Sequence, residues 1–453
     1  MNRLRELRSV LNLTVLVAGL GYFVDLFDIT LFGVVRVASL KDLGLTDPSD
    51  IFQKGLFIYN AQMAGMMVGG LFWGLLGDKR GRLSVMFGSI LLYSAANLLN
   101  PFVWDVNSYA ACRFLGGLGL AGELGAAITL VAESLPREKR GLGTTVVATL
   151  GMLGVVVAAL VAQHLHWKTA YVTGGVLGLT LLFARFKVSE SVLFTQKAGP
   201  VKGNALLLLQ GGRLPRYLGC ILVGVPIYFT TGILFVFAPE LTAGLHVQGT
   251  VTAGNAILFG SVGLTLGDLL SGVLSQWLQS RKRAVGFSLC AWFALVLVYG
   301  LVPGLTPTLV YALTFLIGLS VGYWAVLITM AAEQFGTNIR ATVATSVPNF
   351  VRGSAVLAAT AFGQLKGPLG VAHAALAVGA VCFLLALVAL SRLAETFHRD
   401  LDYVESAAPR ARTRTRAPAE GRGDVSPAAA PAAATPARGR QPEHEDPRPA
   451  HHR

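Results

Sequence analysis

The chain has 453 residues, of which 53% are hydrophobic and only 13% are charged. An ordinary soluble domain carries about 25% charged residues, so this composition excludes a soluble fold. The formal net charge of +13 would suit a nucleic-acid-binding protein, but its distribution does not. From Glu395 onward the chain holds ten arginines and nine acidic residues, so the excess lies between apolar segments, as in a polytopic membrane protein.

Apolar stretches separated by glycine, proline or charged clusters predict twelve membrane-spanning helices. Each stretch is close to the roughly 20 residues that a spanning helix needs. The predicted spans cover residues 12–36, 54–77, 84–104, 108–132, 142–165, 169–187, 217–239, 254–278, 284–302, 308–332, 342–365 and 370–392.

Basic residues between the spans predict the orientation. With the N-terminus inside, and the tail left out of the count, twenty basic residues lie on the inner loops and five outside, and only Arg113 and Arg352 lie within spans. The positive-inside rule then makes both termini cytoplasmic, in a multi-pass protein of the cell (inner) membrane. The five outer basic residues are Arg36, Lys41, Lys54, Lys168 and Lys366.

The longest inner connection divides the spans six and six. We predict an N-terminal six-helix half (1–187), a central cytoplasmic loop (188–215), a C-terminal six-helix half (216–393) and a cytoplasmic tail (394–453). Beyond about residue 406 the tail is rich in Ala, Pro, Arg and Gly and is expected to be disordered. The two halves share patterns at an offset near 200 residues, which indicates a duplicated unit with a substrate site between the repeats.

Motifs of enzymatic or metal chemistry are missing from the sequence. There is no His-rich cluster, serine-nucleophile motif or Walker sequence, and the four cysteines fall singly in different apolar segments. We therefore predict that the protein is not an enzyme, and that it has no cofactor, metal or nucleic-acid partner.

The turn after the second span carries the sequence GLLGDKRGR, which includes Gly74, Asp78 and Arg82. Glycines let two helix ends approach closely, and the carboxylate can face a helix N-terminus, here the start of span eleven near Thr342. A solvated basic turn would explain the bases but not the spacing of the glycines and the aspartate. A degraded copy lies at 272–283. This loop resembles the signature loop of the major facilitator superfamily.

Further motifs are Arg113-Phe-Leu-Gly-Gly117-Leu-Gly119 with Gly122-Glu123 in span four, Glu133 followed by Arg140-Gly141, Glu190-Ser191, and Glu395-Thr396 after span twelve. They resemble the sugar-porter and metabolite:proton-symporter branch of that superfamily. The resemblance covers about residues 12–405 and implies an all-α fold with twelve transmembrane helices in two halves. It also implies a salt-bridge network that closes the cytoplasmic side. Independent surface charges are the alternative, each pair being worth no more than about 1 kcal/mol. The predicted gate residues are Gly74, Asp78, Arg82, Glu133, Arg140, Glu190, Glu333, Arg340 and Glu395.

Two departures from the branch narrow the function. Span seven lacks the paired glutamines that sugar porters present to hexoses, which disfavours a sugar. Span five lacks the Gly-Pro pair associated with drug:proton antiporters, which favours uptake over export.

Three charged residues lie deep in the first half. Asp25 and Asp28 are three residues apart on one side of span one and match the acid-x-x-Asp pattern of the resembled symporters. At 1.5 Å per residue, Asp28 and Arg113 lie at similar depths, about 24 and 22 Å from the inner side. The resemblance implies that they meet and couple transport to protons, with Asp25 in reserve. A static ion pair is the alternative.

Arg352 is placed at the bilayer midplane, about 15 Å deep. We expect it to lack an obvious neutralising partner and so to bind an anionic substrate group. The alternative is an internal partner, Asp268 or Glu123. The candidate substrate-binding residues are Arg352, Asn349, Glu123 and Tyr228.

Together these features predict a secondary transporter that imports a small organic acid with protons by alternating access. An uncharged or zwitterionic solute such as a sugar, polyol or betaine is the alternative substrate. A remoter alternative is a non-transporting membrane sensor on the same scaffold. The expected partners are the solute, protons and the lipid bilayer, and the protein is expected to function as a monomer.

Overall fold

The computed structural model describes residues 13–80, 82–123, 140–193, 208, 212–245 and 247–397, without the side chains of several inner helix ends. These residues are helical almost throughout. We call the end at which the first helix begins the inner end, following the predicted orientation, and the opposite end the outer end. The central loop and the tail beyond 397 fall largely outside the described residues.

The described helices form twelve successive rods. The first six are α1 Leu13–Asp42, α2 Pro48–Arg80, α3 Arg82–Leu99, α4 Val106–Leu120, α5 Arg140–His164 and α6 Trp167–Leu193. Next come α7 Arg213–Phe229, which continues through Thr230–Phe235 and Ala238–Gly244, then α8 Ala253–Trp277 and α9 Arg281–Leu301. The last are α10, in two pieces Pro307–Val321 and Trp324–Glu333, α11 Thr337–Leu369 and α12 Val371–Arg392.

Local sequence explains several helix starts. Asp105 accepts a hydrogen bond from the Ser108 N–H, and the Ser108 hydroxyl lies against the Asp105 backbone, so the two residues form a capping box for α4. Thr252, Ser280 and Thr306 cap α8, α9 and α10 in the same way, each accepting from a backbone N–H three residues later. The twelve-helix prediction is confirmed, and the division into halves at residues 188–215 stays a prediction.

The same helix pairings recur in the two sets of six. The pair α1–α5 corresponds to α7–α11, α2–α4 to α8–α10, and α3–α6 to α9–α12, while α2–α11 and α5–α8 join the two sets. Glycines allow the closest pairs to form. A Cβ on Gly117 of α4 would lie 2.1 Å from the Gln62 carbonyl oxygen, and one on Gly318 of α10 would lie 2.0 Å from the Gly260 carbonyl oxygen.

The twelve helices differ in mean hydropathy. Within the described residues, six stretches are long and apolar enough to cross a membrane by length and composition. They are Val15–Asp42, Arg213–Phe235, Ala253–Trp277, Arg281–Leu301, Pro307–Glu333 and Val371–Arg392. Helices α2 and α11 are not among them, because they carry Gln62, Asn349 and Arg352, whose buried side chains point into the bundle rather than to lipid.

Candidate functional site: charged residues inside the helical bundle

Arg352 of α11 forms an ion pair with Asp25 of α1. Its Nη2 donates to Asp25 Oδ2 at 2.9 Å, and both side chains are fully buried. Its Nε donates to the Tyr228 hydroxyl at 2.9 Å. The expectation that Arg352 lacks a neutralising partner is therefore wrong, and so is the alternative that the partner is Asp268 or Glu123. A contact between residues 327 positions apart depends on how α1 and α11 pack, which local depth does not reveal.

The Asp25–Arg352 pair is incompletely satisfied. Asp25 Oδ1 and Arg352 Nη1 are buried, and neither has a hydrogen-bond partner among the described residues. An unused buried donor or acceptor costs about 1–3 kcal/mol, and more when it is charged. An unpaired donor and an unpaired acceptor on partnered side chains can bind a carboxylate, an ammonium group or water.

Aromatic residues and a helix break lie beside this pair. Helix α10 is interrupted at Gly322 and Tyr323, and its second piece begins at Trp324, whose ring centroid is 5.9 Å from that of Tyr228. Asp268 of α8 accepts from the Ala325 N–H at 2.7 Å. Asp268 therefore caps the second piece of α10, at the positive end of that helix.

Asp28 and Arg113 are connected through an amide. Arg113 Nη2 donates to Asn97 Oδ1 at 2.6 Å, and the Asn97 amide nitrogen donates to Asp28 Oδ2. Arg113 Nε also donates to Asn100 Oδ1 at 3.1 Å, and its guanidinium carbon lies 4.4 Å from the ring centroid of Tyr171. All of these side chains are described, and Asp28 and Arg113 form no direct ion pair among them. The prediction that the two charges meet is thus wrong in its geometry, because Asn97 separates them.

Glu123 is paired within the first six helices. Its carboxylate accepts from Arg185 Nη2 at 2.7 Å and Nη1 at 3.1 Å, and from the Ser89 hydroxyl at 3.1 Å. Arg185 is not among the predicted site residues, because a base near a helix end looks in sequence like one that follows the positive-inside rule. A Cβ on Gly21 of α1 would lie 2.3 Å from Arg185 Nη2, so α1 packs directly against this pair.

Asn349 lies at the contact between the two sets of helices. It is buried on α11, and its Nδ2 donates to the Ala121 carbonyl oxygen, just after α4, at 3.2 Å. A Cβ on Gly70 of α2 would lie 2.8 Å from Asn349 Cβ. The roles of Asn349 and Glu123 in substrate binding stay predictions.

Arg36 joins the two sets near the outer end. It is fully buried, donates to Glu240 Oε1 at 2.7 Å and to the Val236 carbonyl oxygen at 3.2 Å, and its guanidinium carbon lies 4.3 Å from the Phe237 ring centroid. The sequence analysis placed Arg36 in an outer loop, but α1 continues to Asp42. Arg36 and Arg185 are therefore buried helix residues, and the prediction that only Arg113 and Arg352 lie within spans is wrong.

The inner end of the second set brings two of the predicted gate residues together. Glu333 accepts from Arg281 Nη2 at 3.4 Å and from the Thr396 hydroxyl at 2.7 Å. Glu395, next in sequence to Thr396, accepts from the Ser280 hydroxyl and from the Arg281 N–H. Arg281 is an addition to the predicted set.

Hydrogen bonds also set the charge of Glu395. Partial burial acts to raise its pKa, but the hydrogen bonds from the Ser280 hydroxyl and from the N–H groups of Thr396, Arg281 and Phe397 outweigh burial. They hold the pKa of this carboxyl below its usual value, so it is charged at neutral pH.

Of the other predicted gate residues, the structure places Arg340 and Gly74 but not the side chains of the rest. Arg340 lies in the first turn of α11, and its Nε donates to the Phe335 carbonyl oxygen at 3.3 Å. Gly74 lies within α2. The remaining side chains fall outside what the structure describes. These are Asp78, Arg82, Glu133, Arg140 and Glu190.

Comparison with known proteins identifies the family. The family model described as Major Facilitator Superfamily matches residues 18–371. The chain therefore belongs to the major facilitator superfamily, as its loop motif predicted. It is a membrane transporter rather than an enzyme.

Individual relatives are metabolite transporters. The chain is 26% identical to a probable 4-methylmuconolactone transporter of Cupriavidus pinatubonensis, over 83% of this chain and 89% of that protein. It is 28% identical to a niacin transporter of Acinetobacter baylyi over 62% of each chain. It is 27% identical to the 3-(3-hydroxy-phenyl)propionate transporter of Escherichia coli, over 71% of this chain and 77% of that one.

A solved structure has a similar fold. The crystal structure of a D-xylose-proton symporter matches with a TM-score of 0.62 at 16% identity, covering 85% of this chain and 98% of that one. At this identity the match concerns the fold alone.

Proposed function

We propose that the protein imports a small organic acid together with protons. The observation that supports this most directly is the Asp25–Arg352 ion pair, which is buried, joins α1 to α11 and leaves one donor and one acceptor unused. A planar guanidinium binds a carboxylate through two parallel hydrogen bonds. Arg352 makes one such bond to Asp25 and still offers Nη1.

In this mechanism the carboxylate of the substrate takes the place of the Asp25 carboxylate as the hydrogen-bond acceptor of Arg352. A carboxylate that takes both guanidinium nitrogens leaves Asp25 without its counter-charge. A buried carboxylate without a partner is costly, so Asp25 then takes up a proton. Entry of the anion is thereby linked to entry of a proton, and release of both to the inside restores the ion pair.

The surroundings of the pair suit the rest of an organic acid. Tyr228 and Trp324 present aromatic surface beside Arg352. Relatives named for niacin and for a phenylpropionate support a carboxylic acid of this kind. Asp28 lies one helical turn from Asp25 and serves as a further proton-binding acid beside Arg113.

The direction of the cycle rests on the predicted topology. We place both termini in the cytoplasm and the two six-helix halves on either side of Asp25 and Arg352. The inner gate then consists of the predicted loop residues, with Glu333 and Glu395 joined through Arg281 and Thr396 in the second half. The transporter works as a monomer in the inner membrane.

A zwitterionic solute is the second candidate, and one observation favours it. Among the described residues, Asp25 Oδ1 is an acceptor without a partner on the residue that pairs with Arg352, whose Nη1 is a donor without one. A solute with both an ammonium and a carboxylate group can satisfy both atoms at once.

The test uses the purified protein in proteoliposomes. We expect uptake of niacin or 3-(3-hydroxyphenyl)propionate against its gradient when the outside is acidified, with no accumulation of D-xylose or glycine betaine. In Asp25→Asn, accumulation is lost but exchange of labelled for unlabelled acid persists, because the amide resembles the protonated acid. Asp47→Asn, an exposed acid between α1 and α2, is the matched control and transports normally.

Two results would count against the proposal. Accumulation that does not depend on the proton gradient would rule out proton coupling. Accumulation of betaine but not of the acids would move the substrate to the zwitterionic class.

A further inference from the structure

The side-chain amide of Asn97 has only one orientation that satisfies both of its neighbours. A guanidinium only donates hydrogen bonds, so the oxygen of the amide must face Arg113. The amide nitrogen must then face Asp28, and it donates to Asp28 Oδ2. Asn97 is fully buried between the two charges, so neither contact is shared with solvent.

This orientation distinguishes the two carboxylate oxygens of Asp28. An NH₂ group cannot accept a hydrogen bond, so the Oδ2 atom that faces it stays an acceptor in both protonation states. Oδ1 is buried and has no hydrogen-bond partner among the described residues. A Cβ on Gly174 of α6 would lie 3.3 Å from both Oδ1 and Asn97 Nδ2 and 3.2 Å from Phe27 Cε1, so the backbone of α6 packs closely beside this atom and a side chain there would crowd it.

We propose that Asn97 is a positioning residue for a proton site on Asp28: it holds Oδ2 as an acceptor, keeps Arg113 out of direct contact, and leaves Oδ1, beside Gly174, as the atom that binds the proton. The part that this site plays in uptake rests on the proposed function. The placement of the proton rests on the hydrogen-bond geometry alone.

The groups around Asp28 come from four helices. Asp25 lies on the same helix, Tyr93 comes from α3, Arg113 from α4 and Tyr171 from α6. In the part of α5 from 150 to 164, the sequence has one ionisable residue, a histidine at the outer end. Arg113 is the positive charge among these described groups, and the distance that Asn97 imposes on it affects how readily Asp28 is protonated.

Infrared titration of the purified protein in lipid measures this directly, without a substrate. A protonated carboxylic acid has a C=O band that a carboxylate lacks, and the band that disappears in Asp28→Asn belongs to Asp28. Asn97→Leu removes a hydrogen bond that favours the charged form of Asp28, but it also lets Arg113 reach Asp28, and a direct guanidinium contact favours the charged form more strongly than one neutral amide. A directly paired guanidinium lowers a carboxyl midpoint by about 1–3 units, so we expect a shift to lower pH of about one unit or more.

Asn100→Leu is the matched control. Asn100 also accepts a hydrogen bond from Arg113, but it forms no hydrogen bond with Asp28 among the described residues. We expect the Asp28 midpoint to stay unchanged in this variant. Equal midpoints in the wild type, Asn97→Leu and Asn100→Leu would overturn the proposal, since a merely structural asparagine would alter yield or stability and not this midpoint.

A second pair of variants tests Oδ1 itself and does not depend on the folding of Asn97→Leu. Gly174→Ala places an apolar methyl group against Oδ1, and also against Asn97 Nδ2 and Phe27 Cε1, and disfavours the charged form, so the midpoint moves to higher pH. Gly116→Ala, whose methyl would lie 3.6 Å from Arg113 Nη2, leaves the midpoint in place. No upward shift in Gly174→Ala would overturn the assignment of the proton to Oδ1.

The titration also separates this inference from the proposed function. If no band of the wild-type protein depends on Asp28, the proton site is absent. If the midpoints shift as expected while uptake ignores the proton gradient, the site stands and proton-coupled import fails.

Discussion

Two buried ion pairs adjoin α1 and are built differently: Arg185 lies against Gly21, and Asp25 is four residues further along the helix. Glu123 and Arg185 share two hydrogen bonds, and a third comes from Ser89. All three residues belong to the first six helices. Asp25 and Arg352 share one hydrogen bond and belong to opposite sets of helices.

The difference indicates what each pair can do. A pair whose two carboxylate oxygens are both engaged within one set of helices can keep its contacts throughout a transport cycle. A pair between the sets must adjust whenever they move apart, and its unused oxygen and nitrogen give a ligand or a proton a place to enter. Engagement of both carboxylate oxygens within one set of helices thus separates a structural ion pair from an exchangeable one.

Breaking the Glu123–Arg185 pair should have the largest effect. Glu123→Ala leaves Arg185 buried without its counter-charge, which typically costs about 3–5 kcal/mol. We expect a large drop in unfolding temperature and in the yield of monodisperse protein, measured by thermal unfolding in detergent. The double variant Glu123→Leu with Arg185→Met, which removes both charges, should recover most of the loss. An unchanged unfolding temperature in Glu123→Ala would contradict the structural role.

Neutralising the acid beside Asn97 should abolish coupling without unfolding the protein. Asp28→Asn mimics the protonated acid, so uphill accumulation of the accepted acid should disappear while exchange across the membrane continues. Proteoliposome uptake with and without a proton gradient measures both. If Asp28→Asn still accumulates the solute, coupling does not use this acid.

Replacing the Arg352 guanidinium by a cation of another shape should have a moderate effect on substrate binding. Arg352→Lys keeps the charge but loses the planar fork, and the loss of a charged hydrogen bond worth about 1.5–3 kcal/mol raises the dissociation constant roughly tenfold or more. Arg352→Gln should bind more weakly still. Thermal-shift titration with 3-(3-hydroxyphenyl)propionate measures the constants, and Arg392→Lys, at the exposed inner end of α12, is the control. Normal binding by Arg352→Lys would defeat the anion site.

The smallest effect concerns the partly exposed Glu395. Its lowered pKa means that its contribution to stability is present above the unfolded value of about 4.3 and is lost as the pH falls through the lower folded value. Hydrogen exchange at residues 393–397 should therefore show faster local opening below about pH 4, beyond the intrinsic pH effect. Glu395→Gln should lack this pH dependence. A dependence that survives in Glu395→Gln would assign it to another group.

The sequence by itself determined the membrane class, the number of spans and the depth of several charges. These are local properties, because twenty apolar residues define a span and each residue adds 1.5 Å along it. Asp25, Asp28, Arg113 and Arg352 were found in this way. The loop motif at Asp78 was sufficient to indicate the family.

Only the tertiary structure decided which charges meet. Depth places two residues at one level, but the rotation of each helix and the choice of its neighbour depend on packing through contacts such as Gly117 against Gln62. Arg352 therefore meets Asp25, while Arg113 reaches Asp28 only through Asn97. A buried asparagine such as Asn97 cannot be recognised from the sequence, because it carries no charge. The role of its amide is defined only when its donor and acceptor atoms have fixed partners in the folded protein.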